Sequence, residues 1–308
     1  MKIFTLPDMN EKFPNPVLTI GNYDGIHVGH QKIIEQVVEN AQKLSGTAML
    51  MTFDPHPLSI LKPDTYTRLI TPLHLKKQLV EKCGIGVMFV LPFDDKFKGI
   101  TPEAFIEEIL VKALGVKSII VGYDFTFGKG GTGNVGLLKQ MGKEYGFSFK
   151  AVPAITMDGE KIGSNKIRKL IMNGEIERAA RFLGRPHMIE GIVVRGENRG
   201  KGMGFPTINL DTFAELVPKN GVYVTEVEVE GTRMPSVTNI GFNPTFGGKK
   251  FLMETHILNF SRDLYDQEVI IYFHNHIRDE MKFKSIEELK KRIAEDVALA
   301  QEYFKKAK

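Results

Sequence analysis

Two histidines near the start of the chain have a spacing that suits charge stabilisation at a phosphate. His27 and His30 lie where a helix is predicted to begin, so their side chains can face the same way. The free N–H groups of a helix start attract an anion, and Gly29, between the histidines, lets a phosphate approach the backbone closely. Two imidazoles there could stabilise charge on a triphosphate during attack at its α-phosphorus. The alternatives are that the histidines cap the helix or bind a metal.

Two residues in the second half could bind the cation that accompanies ATP. Thr207 and Asn209 are two positions apart, so on a strand both side chains face the same side. Hydroxyl and amide oxygens are hard ligands, which suit Mg²⁺. Residues 191–210 also contain five glycines, which is typical of a loop that closes over phosphates. A glycine-rich hairpin between barrel strands is the alternative for that segment.

A third group combines two aromatic rings with a carboxylate. Phe125 and Phe127 follow Asp124 at the end of a predicted strand. The rings could stack on an isoalloxazine or adenine ring and orient it. The alternative is that Phe125 and Phe127 are core residues, which we expect to hold for one of the two.

The glycines that follow this group spell G-x-G-x-x-G at positions 128, 130 and 133. A dinucleotide-binding fingerprint should follow the first strand of a βαβ unit, with an acidic residue about 20 positions further on. The equivalent position in this chain carries the histidine pair, so we reject that interpretation. The chain contains no Walker A sequence either.

The first 150 residues alternate strand-like and helix-like patterns, which predicts a parallel sheet with helices on both faces. Ligands of such sheets bind at the carboxyl ends of the strands, which is where His27, His56 and Asp124 lie. The predicted strands are Val17–Ile20, Ala48–Phe53, Val87–Leu91, Ser118–Val121 and Phe147–Val152. The predicted helices are Gln31–Leu44, Pro72–Lys82, Pro102–Leu114 and Val135–Tyr145, with shorter ones around Lys166–Asn173 and Ile176–Leu183.

Residues 187–275 contain short strand-like runs separated by Gly, Pro and Asn, which predicts an antiparallel barrel or sandwich. The segment Ile286–Tyr303 has the apolar spacing of an amphipathic helix packed on that barrel. Gly184-Arg185-Pro186 interrupts the pattern between the halves, so we predict domains of residues 1–184 and 185–308. The predicted strands of the second domain are Met188–Arg195, Val222–Glu230, Ser236–Ile240, Met253–Leu258 and Glu268–Phe273.

The string from Asn22 to His30 resembles the signature of the nucleotidyltransferase superfamily, which includes FAD synthetases and pantetheine-phosphate adenylyltransferases. Thr52-Phe53-Asp54-Pro55-His56-Pro57 resembles the FAD synthetase branch. The resemblance implies that His27 and His30 are catalytic. It also implies two groups of binding residues: for ATP, Gly21, Asn22, Asp24 and Gly29; for the flavin, His56, Asp124, Phe125 and Phe127.

The segment Gly163–Arg168 resembles a further family motif only in part. The family has Ser-Ser-Thr/Ser-x-Ile-Arg, which Ser164, Ile167 and Arg168 match, whereas Gly163 and Asn165 depart from it. A serine at a helix start and an arginine would bind the β- and γ-phosphates. The resemblance therefore makes Ser164 ATP-binding and Arg168 catalytic. An N-capped helix with a surface arginine is the alternative.

The second half resembles riboflavin kinase along Gly191–Leu210, which contains a Pro-Thr-x-Asn string, and along Glu254-Thr255-His256-Ile257. The ribityl 5′-hydroxyl is a weak nucleophile and needs a base, and the resemblance assigns that role to Glu254. It also makes Thr207 and Asn209 the metal ligands. The remaining matches are the ATP-binding Gly196 and Lys201 and the flavin-binding Arg278 and Glu280.

The resemblance covers nearly the whole chain and is to the prokaryotic bifunctional riboflavin kinase/FAD synthetase family. It implies a Rossmann-like α/β nucleotidyltransferase domain followed by an antiparallel six-stranded β-barrel with a C-terminal helix. The implied reactions are phosphorylation of riboflavin to FMN by ATP with Mg²⁺, and adenylyl transfer from ATP to FMN, giving FAD and pyrophosphate. Two alternatives stay open. One is a monofunctional riboflavin kinase with a weakened first domain, and the other is a non-catalytic flavin-sensing or RNA-binding regulator.

The composition favours small anionic ligands over polymers. Lys and Arg number 41 against 37 Asp and Glu, a net charge of +4, which is too small to indicate nucleic-acid binding. The sequence has neither an 18-residue apolar run nor a signal-peptide pattern, so we expect a cytoplasmic protein without a membrane span. The single cysteine, Cys83, excludes an intramolecular disulfide. The oligomeric state is left open.

Overall fold

The computed structural model divides the chain into two compact units, Met1–Gly163 and Ser164–Lys308. It describes residues 1–5, 11–65, 68–196, 202, 204–245 and 248–306, with the side chains at 65, 242–245 and 248–251 left out. The predicted functional boundary at Gly184-Arg185-Pro186 lies further along the chain. The boundary stays a prediction, because the division into compact units does not show which residues carry which activity.

The first unit is built on a six-stranded parallel sheet, which confirms the predicted α/β class. Its strands are β1 (Lys2–Phe4), β2 (Val17–Ile20), β3 (Ala48–Asp54), β4 (Val87–Pro92), β5 (Ser118–Gly122) and β8 (Ser148–Val152). Two short hairpins pair β6 (Thr126–Phe127) with β7 (Gly133–Asn134) and β9 (Thr156–Met157) with β10 (Glu160–Lys161). The spatial order is β1–β4–β3–β2–β5–β8. The edge strand β1 was not predicted, because it has no buried apolar run.

Helices cover both faces of this sheet. They are α1 (Val28–Lys43), α2 (Pro57–Leu61), α3 (Leu73–Lys82), α4 (Asp95–Lys98), α5 (Pro102–Ala104) with its π-helical continuation Phe105–Ala113, and α6 (Val135–Tyr145). All four residues of β2 are buried, and its three apolar residues divide between two apolar clusters: Leu18 and Ile20 join one, Val17 the other. Burial on both faces explains why the central strands appear as continuous apolar runs.

The second unit starts with α7 (Ser164–Met172) and α8 (Ile176–Leu183) and continues as a closed six-stranded barrel. The barrel strands are β11 (His187–Val194), β12 (Ile208–Thr212), β13 (Gly221–Val229), β14 (Thr232–Thr245), β15 (Gly248–Ile257) and β16 (Glu268–Arg278). They run antiparallel in the order β11–β12–β15–β14–β13–β16. A C-terminal helix, α9 (Ile286–Lys306), completes the unit. The six-stranded barrel and this helix are both as predicted.

Alternation along the barrel strands separates two environments. On one face of neighbouring strands, the hydroxyls of Thr225, Ser236, Thr238 and Thr255 form a fully buried chain of hydrogen bonds of 2.7–2.9 Å. On the other face, Val222, Val224 and Val237 pack with Ala300 of α9. Because the side-chain period of a strand is two, Asn239 and Glu254 lie on the face opposite Thr238 and Thr255.

Candidate functional site

Three predicted segments of the first unit lie at one edge of the parallel sheet. The strands β3, β2 and β5 are neighbours, and each is followed by a predicted residue or segment: His56, Gly21–His30 and Asp124, respectively. Parallel neighbouring strands end at the same edge of a sheet. The fold therefore brings together at this edge segments that are far apart in the sequence.

The two histidines form a stacked pair at the start of α1. Nδ1 of His27 accepts a hydrogen bond of 3.2 Å from the backbone N–H of His30 and so caps the helix. The imidazole centroids are 3.6 Å apart and the ring planes differ by 15°. Capping, one of the alternatives, is thus observed for His27, and it orients the ring at the helix N-terminus. In the described part of the chain, no three His, Cys, Asp or Glu side chains are grouped to hold a metal.

Two glycines leave room for the rings of this turn. A Cβ at Gly29 would lie 3.2 Å from the His27 ring, and one at Gly21 would lie 3.1 Å from the ring of Tyr23. Tyr23 is buried, its hydroxyl hydrogen-bonds Thr19, and burial raises its pKa. The Tyr23 ring lies 4.9 Å from that of His30. The two glycines therefore allow the aromatic and imidazole rings to pack closely on the turn.

A buried lysine supports the same turn and was not predicted. Nζ of Lys76, on α3, donates to the carbonyl of Asn22 at 2.8 Å, and Oγ1 of Thr52 donates to it at 3.1 Å. Lys76 is 3% exposed, and its burial lowers its pKa, against the opposing effect of Asp24 and Asp54. Lysine is almost never fully buried, so the helical pattern alone gave no reason to single it out.

Asp24, predicted to bind ATP, makes backbone contacts in this structure. It is 2% exposed, and its carboxylate accepts hydrogen bonds of 3.0–3.2 Å from the N–H groups of Ile70 and Thr71. These bonds tie the segment before α3 to the histidine turn. Its predicted role at ATP stays a prediction.

The predicted flavin residues of this unit have distinct environments. His56 is buried and caps α2, since its Nδ1 accepts from the N–H of Leu58 at 3.1 Å. The rings of Phe125 and Phe127 stack at 5.5 Å with planes 13° apart. Phe127 belongs to the core, whereas Phe125 is half-buried. One of the two phenylalanines is thus a core residue, as the alternative held.

Asp124 forms an ion pair with the β9–β10 hairpin. Its Oδ2 lies 3.2 Å from Nζ of Lys161, which also contacts the hydroxyl of Tyr123. Both members of the pair are more than half exposed. Lys161 was not predicted, because nothing local connects residues 37 positions apart.

In the second unit, three polar residues align across adjacent strands. Glu254 on β15 is directly opposite Asn209 on β12 and, on its other side, Asn239 on β14. Directly opposed residues of antiparallel strands share a face. The barrel therefore sets the predicted base beside a predicted metal ligand, and it adds Asn239, which the sequence analysis did not select.

The backbone just after β11 packs closely on Asn209. A Cβ at Gly196 would lie 2.0 Å from Nδ2 of Asn209, so any side chain there would displace this amide. Thr207 directly precedes β12, and Nδ1 of His256 is 2.8 Å from the carbonyl oxygen of the neighbouring Pro206. Lys201, predicted to bind ATP, lies outside the described residues.

The predicted flavin residues of the second unit are both engaged by neighbours. The guanidinium of Arg278 donates to the carboxylate of Asp296 at 2.8–3.1 Å. The carboxylate of Glu280 accepts from Nδ2 of Asn220 at 3.0 Å. It also lies over Gly241, where a Cβ would be 2.2 Å from its Oε1.

The partially matching motif begins α7. Ser164 is the first residue of that helix, and Arg168 is 5% exposed. Nη1 of Arg168 donates to Oδ1 of Asn165 at 2.6 Å, so one residue that departs from the family pattern hydrogen-bonds the predicted catalytic arginine. A Cβ at Gly163 would meet nothing within 4 Å.

Comparison with known proteins gives matches in both parts of the chain. The family model described as FAD synthetase matches residues 9–166, and the model described as riboflavin kinase matches residues 183–304. Within the described part of the chain, no helix is both long and apolar enough to cross a bilayer.

Full-length relatives have the same organisation. The bifunctional riboflavin kinase/FMN adenylyltransferase of Escherichia coli (strain K12) is 37% identical over 289 residues, covering 94% of this chain and 92% of the relative. The protein of the same name from Bacillus subtilis (strain 168) is 35% identical over 302 residues, covering 96% and 95%. A crystal structure described as a macrolide-efflux protein from Streptococcus pneumoniae has a TM-score of 0.89 and 28% identity, covering 98% and 99%.

These matches cover both the parallel-sheet half and the barrel half and leave few residues of the chain unmatched. The identity exceeds one residue in three across more than nine-tenths of the chain. The chain therefore belongs to the bifunctional riboflavin kinase/FMN adenylyltransferase family.

Proposed function

We propose that this chain makes FAD from riboflavin in two ATP-dependent steps. The first step phosphorylates riboflavin to FMN, and the second transfers the adenylyl group of ATP to FMN and releases pyrophosphate. The observation that carries the proposal is that one chain contains two separate arrangements of side chains that suit phosphate chemistry. One is the stacked His27–His30 pair at the start of α1, and the other is the Asn209–Glu254 pair of the barrel.

In the phosphorylation step, Glu254 is the general base. It takes the proton of the ribityl 5′-hydroxyl while that oxygen attacks the γ-phosphorus of ATP, and ADP leaves. Support comes from the register, which puts Glu254 directly beside Asn209, and from its half-buried position on the barrel. Gly196 and Lys201 are assigned to ATP on the family resemblance.

The residues present fit a magnesium ion that arrives with ATP. Thr207 and Asn209 offer a neutral hydroxyl and a neutral amide oxygen. Among the described residues, no three His, Cys, Asp or Glu side chains are grouped to hold a metal, so the phosphates of ATP would supply most of the negative charge around the ion. Mg²⁺ takes such oxygens together with phosphate oxygens and water. When bound, the ion would neutralise charge on the transferred phosphoryl group.

In the adenylylation step, a phosphate oxygen of FMN attacks the α-phosphorus of ATP, and pyrophosphate leaves. His27 and His30 stabilise the charge that develops there, with the help of the N–H groups at the start of α1. Lys76 and Asp24 hold the turn between β2 and α1 in place. Ser164 and Arg168 are assigned to the β- and γ-phosphates on the resemblance, as are His56, Asp124 and Phe125 to the flavin. We assign this step to residues 1–184 and the kinase step to residues 185–308.

The test is a time course with riboflavin and Mg-ATP, in which FMN and FAD are separated by chromatography. FMN should rise first and then fall as FAD accumulates, and a parallel reaction with FMN in place of riboflavin isolates the second step. Accumulation of FMN without FAD would favour the monofunctional kinase. Formation of neither product would contradict the proposal.

Removal of Mg²⁺ with a chelator should abolish both reactions and excess Mg²⁺ should restore them. Asn209→Ala should raise the Mg²⁺ concentration at which FMN formation is half-maximal and leave the Mg²⁺ dependence of FAD formation from FMN unchanged. An unaltered Mg²⁺ titration of FMN formation would remove Asn209 from the metal site.

A further inference from the structure

A buried ion pair connects the C-terminal helix to the last barrel strand. Asp296, on α9, is 2% exposed. Nε of Arg278 lies 3.1 Å from both carboxylate oxygens of Asp296, and Nη2 lies 2.8 Å from Oδ2. Nε of Arg292, one helical turn before Asp296, is 3.6 Å from Oδ1. Two-point contact of this kind fixes the orientation of a guanidinium as well as its position.

Arg278 is also the first residue of a segment, 278–280, that contacts residues 219–221. After Arg278, the Asp279 carboxylate pairs with Nζ of Lys219 at 2.7–2.8 Å, and the Glu280 carboxylate accepts from Asn220 at 3.0 Å. A Cβ at Gly221 would lie 2.5 Å from the carbonyl oxygen of Arg278. The 219–221 segment therefore packs against residues 278–280, and Asp296 holds the side chain of Arg278, the first residue of that stretch.

The barrel register connects this segment to the candidate base. Glu254 is opposite Asn239, Asn239 is opposite Val222, and Val222 is opposite Arg278. Three inter-strand steps of about 4.8 Å separate Arg278 from Glu254 by about 14 Å around the barrel wall, and α9 covers Val222 between them. That span suits an extended riboflavin whose 5′-hydroxyl lies at Glu254 and whose ring system lies toward Arg278 and Glu280.

We propose that Asp296 is a positioning residue for riboflavin in the kinase step. It holds the guanidinium of Arg278 and, through the 278–280 segment, sets where the Glu280 carboxylate meets the flavin ring. The C-terminal helix thereby becomes part of the substrate specificity of the barrel. This inference rests on the proposed riboflavin kinase activity.

Asp296→Asn tests the proposal, because the amide keeps the shape of the side chain and removes its charge. The KM for riboflavin should rise roughly tenfold, as expected of a displaced positioning group, whereas kcat and the KM for ATP should change less than about twofold. Glu302→Gln is the matched control. It removes the same charge from an exposed position of the same helix, where Glu302 pairs with Lys306 at 2.6 Å, and it should leave all three constants unchanged.

A second variant separates positioning from stability. Loss of one partner of a buried pair destabilises the fold, whereas replacing both partners with apolar residues often restores stability. Arg278→Met/Asp296→Leu should therefore melt at or above the temperature of Asp296→Asn yet keep a raised riboflavin KM. If this double variant regained the parent's riboflavin KM, the pair would be purely structural and the proposal would be wrong.

The activity of the parent protein distinguishes failure of the proposed role of Asp296 from failure of the proposed kinase function. A parent that forms FMN, with a riboflavin KM that Asp296→Asn leaves unchanged, overturns the role of Asp296 alone. A parent that forms no FMN from riboflavin and Mg-ATP overturns the proposed kinase function, and the role of Asp296 falls with it. Riboflavin fluorescence titrations of the parent and of Asp296→Asn give the same comparison without turnover, and equal affinities would also overturn the role of Asp296.

Discussion

At the residue scale, the carboxylate of Glu254 is flanked on the two adjacent strands by neutral side chains. The two side chains directly opposite it on adjacent strands, Asn209 and Asn239, are amides, so no like charge opposes its ionised form from these positions. An amide on each side can also hold a carboxylate in one orientation. This environment suits a carboxylate that must be ionised before it accepts a proton.

Glu254→Gln should reduce the rate of FMN formation by about 10²–10⁴-fold, since the amide keeps the shape of the side chain but cannot accept the proton. FAD formation from supplied FMN should be unchanged. The measurement is initial rates of both reactions by chromatography. Glu268→Gln, at the exposed first residue of β16, is the control and should match the parent. A Glu254→Gln protein that phosphorylates riboflavin at the parent rate would exclude the general-base role.

At the element scale, a second prediction concerns the residues at the start of α7. Asn165 hydrogen-bonds Arg168, and Gly163 has open space where a side chain would extend. Gly163→Ser/Asn165→Thr restores the family pattern and adds two hydroxyls to the helix start. Each neutral hydrogen bond contributes about 0.5–1.5 kcal/mol, so bonds formed only in the transition state would raise the rate of FAD formation by roughly tenfold.

The comparison needs initial rates of FAD formation from FMN in the parent, the double variant and Arg168→Ala as the low-activity reference. A fast parent that the double variant leaves alone would mean that these two positions do not limit the reaction. A parent as slow as Arg168→Ala would support the alternative of a weakened first domain.

A buried histidine at the first residue of β11 should make the stability of the fold depend on pH. His187 is 2% exposed, its ring lies 6.0 Å from that of Phe273, and burial lowers its pKa to about 3, with Arg185 acting in the same direction. Between about pH 6.5 and 3 the unfolded chain binds a proton at this residue that the folded chain does not. The free energy of unfolding should therefore decrease as the pH falls through this range.

His187→Gln should make that pH dependence shallower, by at most about 1.4 kcal/mol per pH unit. Urea unfolding at pH 7, 6 and 5 measures it, and His74→Gln, at an exposed position of α3, is the control. An identical pH slope in His187→Gln and the parent would show that His187 is not the responsible group.

At the scale of the whole molecule, α7 and α8 belong to the compact unit that contains the barrel. The N–H of Lys219 donates to the carbonyl of Ile171 at 3.3 Å, and a Cβ at Gly174 would lie 3.6 Å from the hydroxyl of Tyr223. The apolar face of α8 is buried at Ile176, Ala179, Phe182 and Leu183. A fragment that starts at residue 185 lacks these contacts, although it keeps the predicted kinase residues.

Residues 185–308 and 164–308 should both form FMN from riboflavin and Mg-ATP. The longer fragment should melt at least about 5 °C higher, because loss of one to two kcal/mol shifts a unit of this size by that order. Thermal unfolding followed by circular dichroism, with FMN assays below both transitions, provides the measurement. Equal melting temperatures would mean that the two helices do not stabilise the barrel, and a folded but inactive 185–308 fragment would contradict the domain assignment.

Periodicity alone predicted the parallel sheet, an antiparallel barrel or sandwich, and the C-terminal helix, and the motifs carried the family resemblance that implied the barrel. Such features are local: the continuous apolar run of Val17–Ile20, the two-residue spacing of Thr207 and Asn209, and the string from Asn22 to His30 can each be recognised within a few residues.

Other features depended on the tertiary structure, because they join residues that only packing brings together. Lys76 is buried under a turn 54 positions earlier, and Asp296 meets Arg278 across an 18-residue separation. The register that sets Asn239 beside Glu254 arises only when β14 and β15 pair, and the packing of α7 and α8 with the barrel depends on buried contacts. Burial and ion pairing are properties of the closed fold, so a pattern that encodes only the local period of a helix or strand does not contain them.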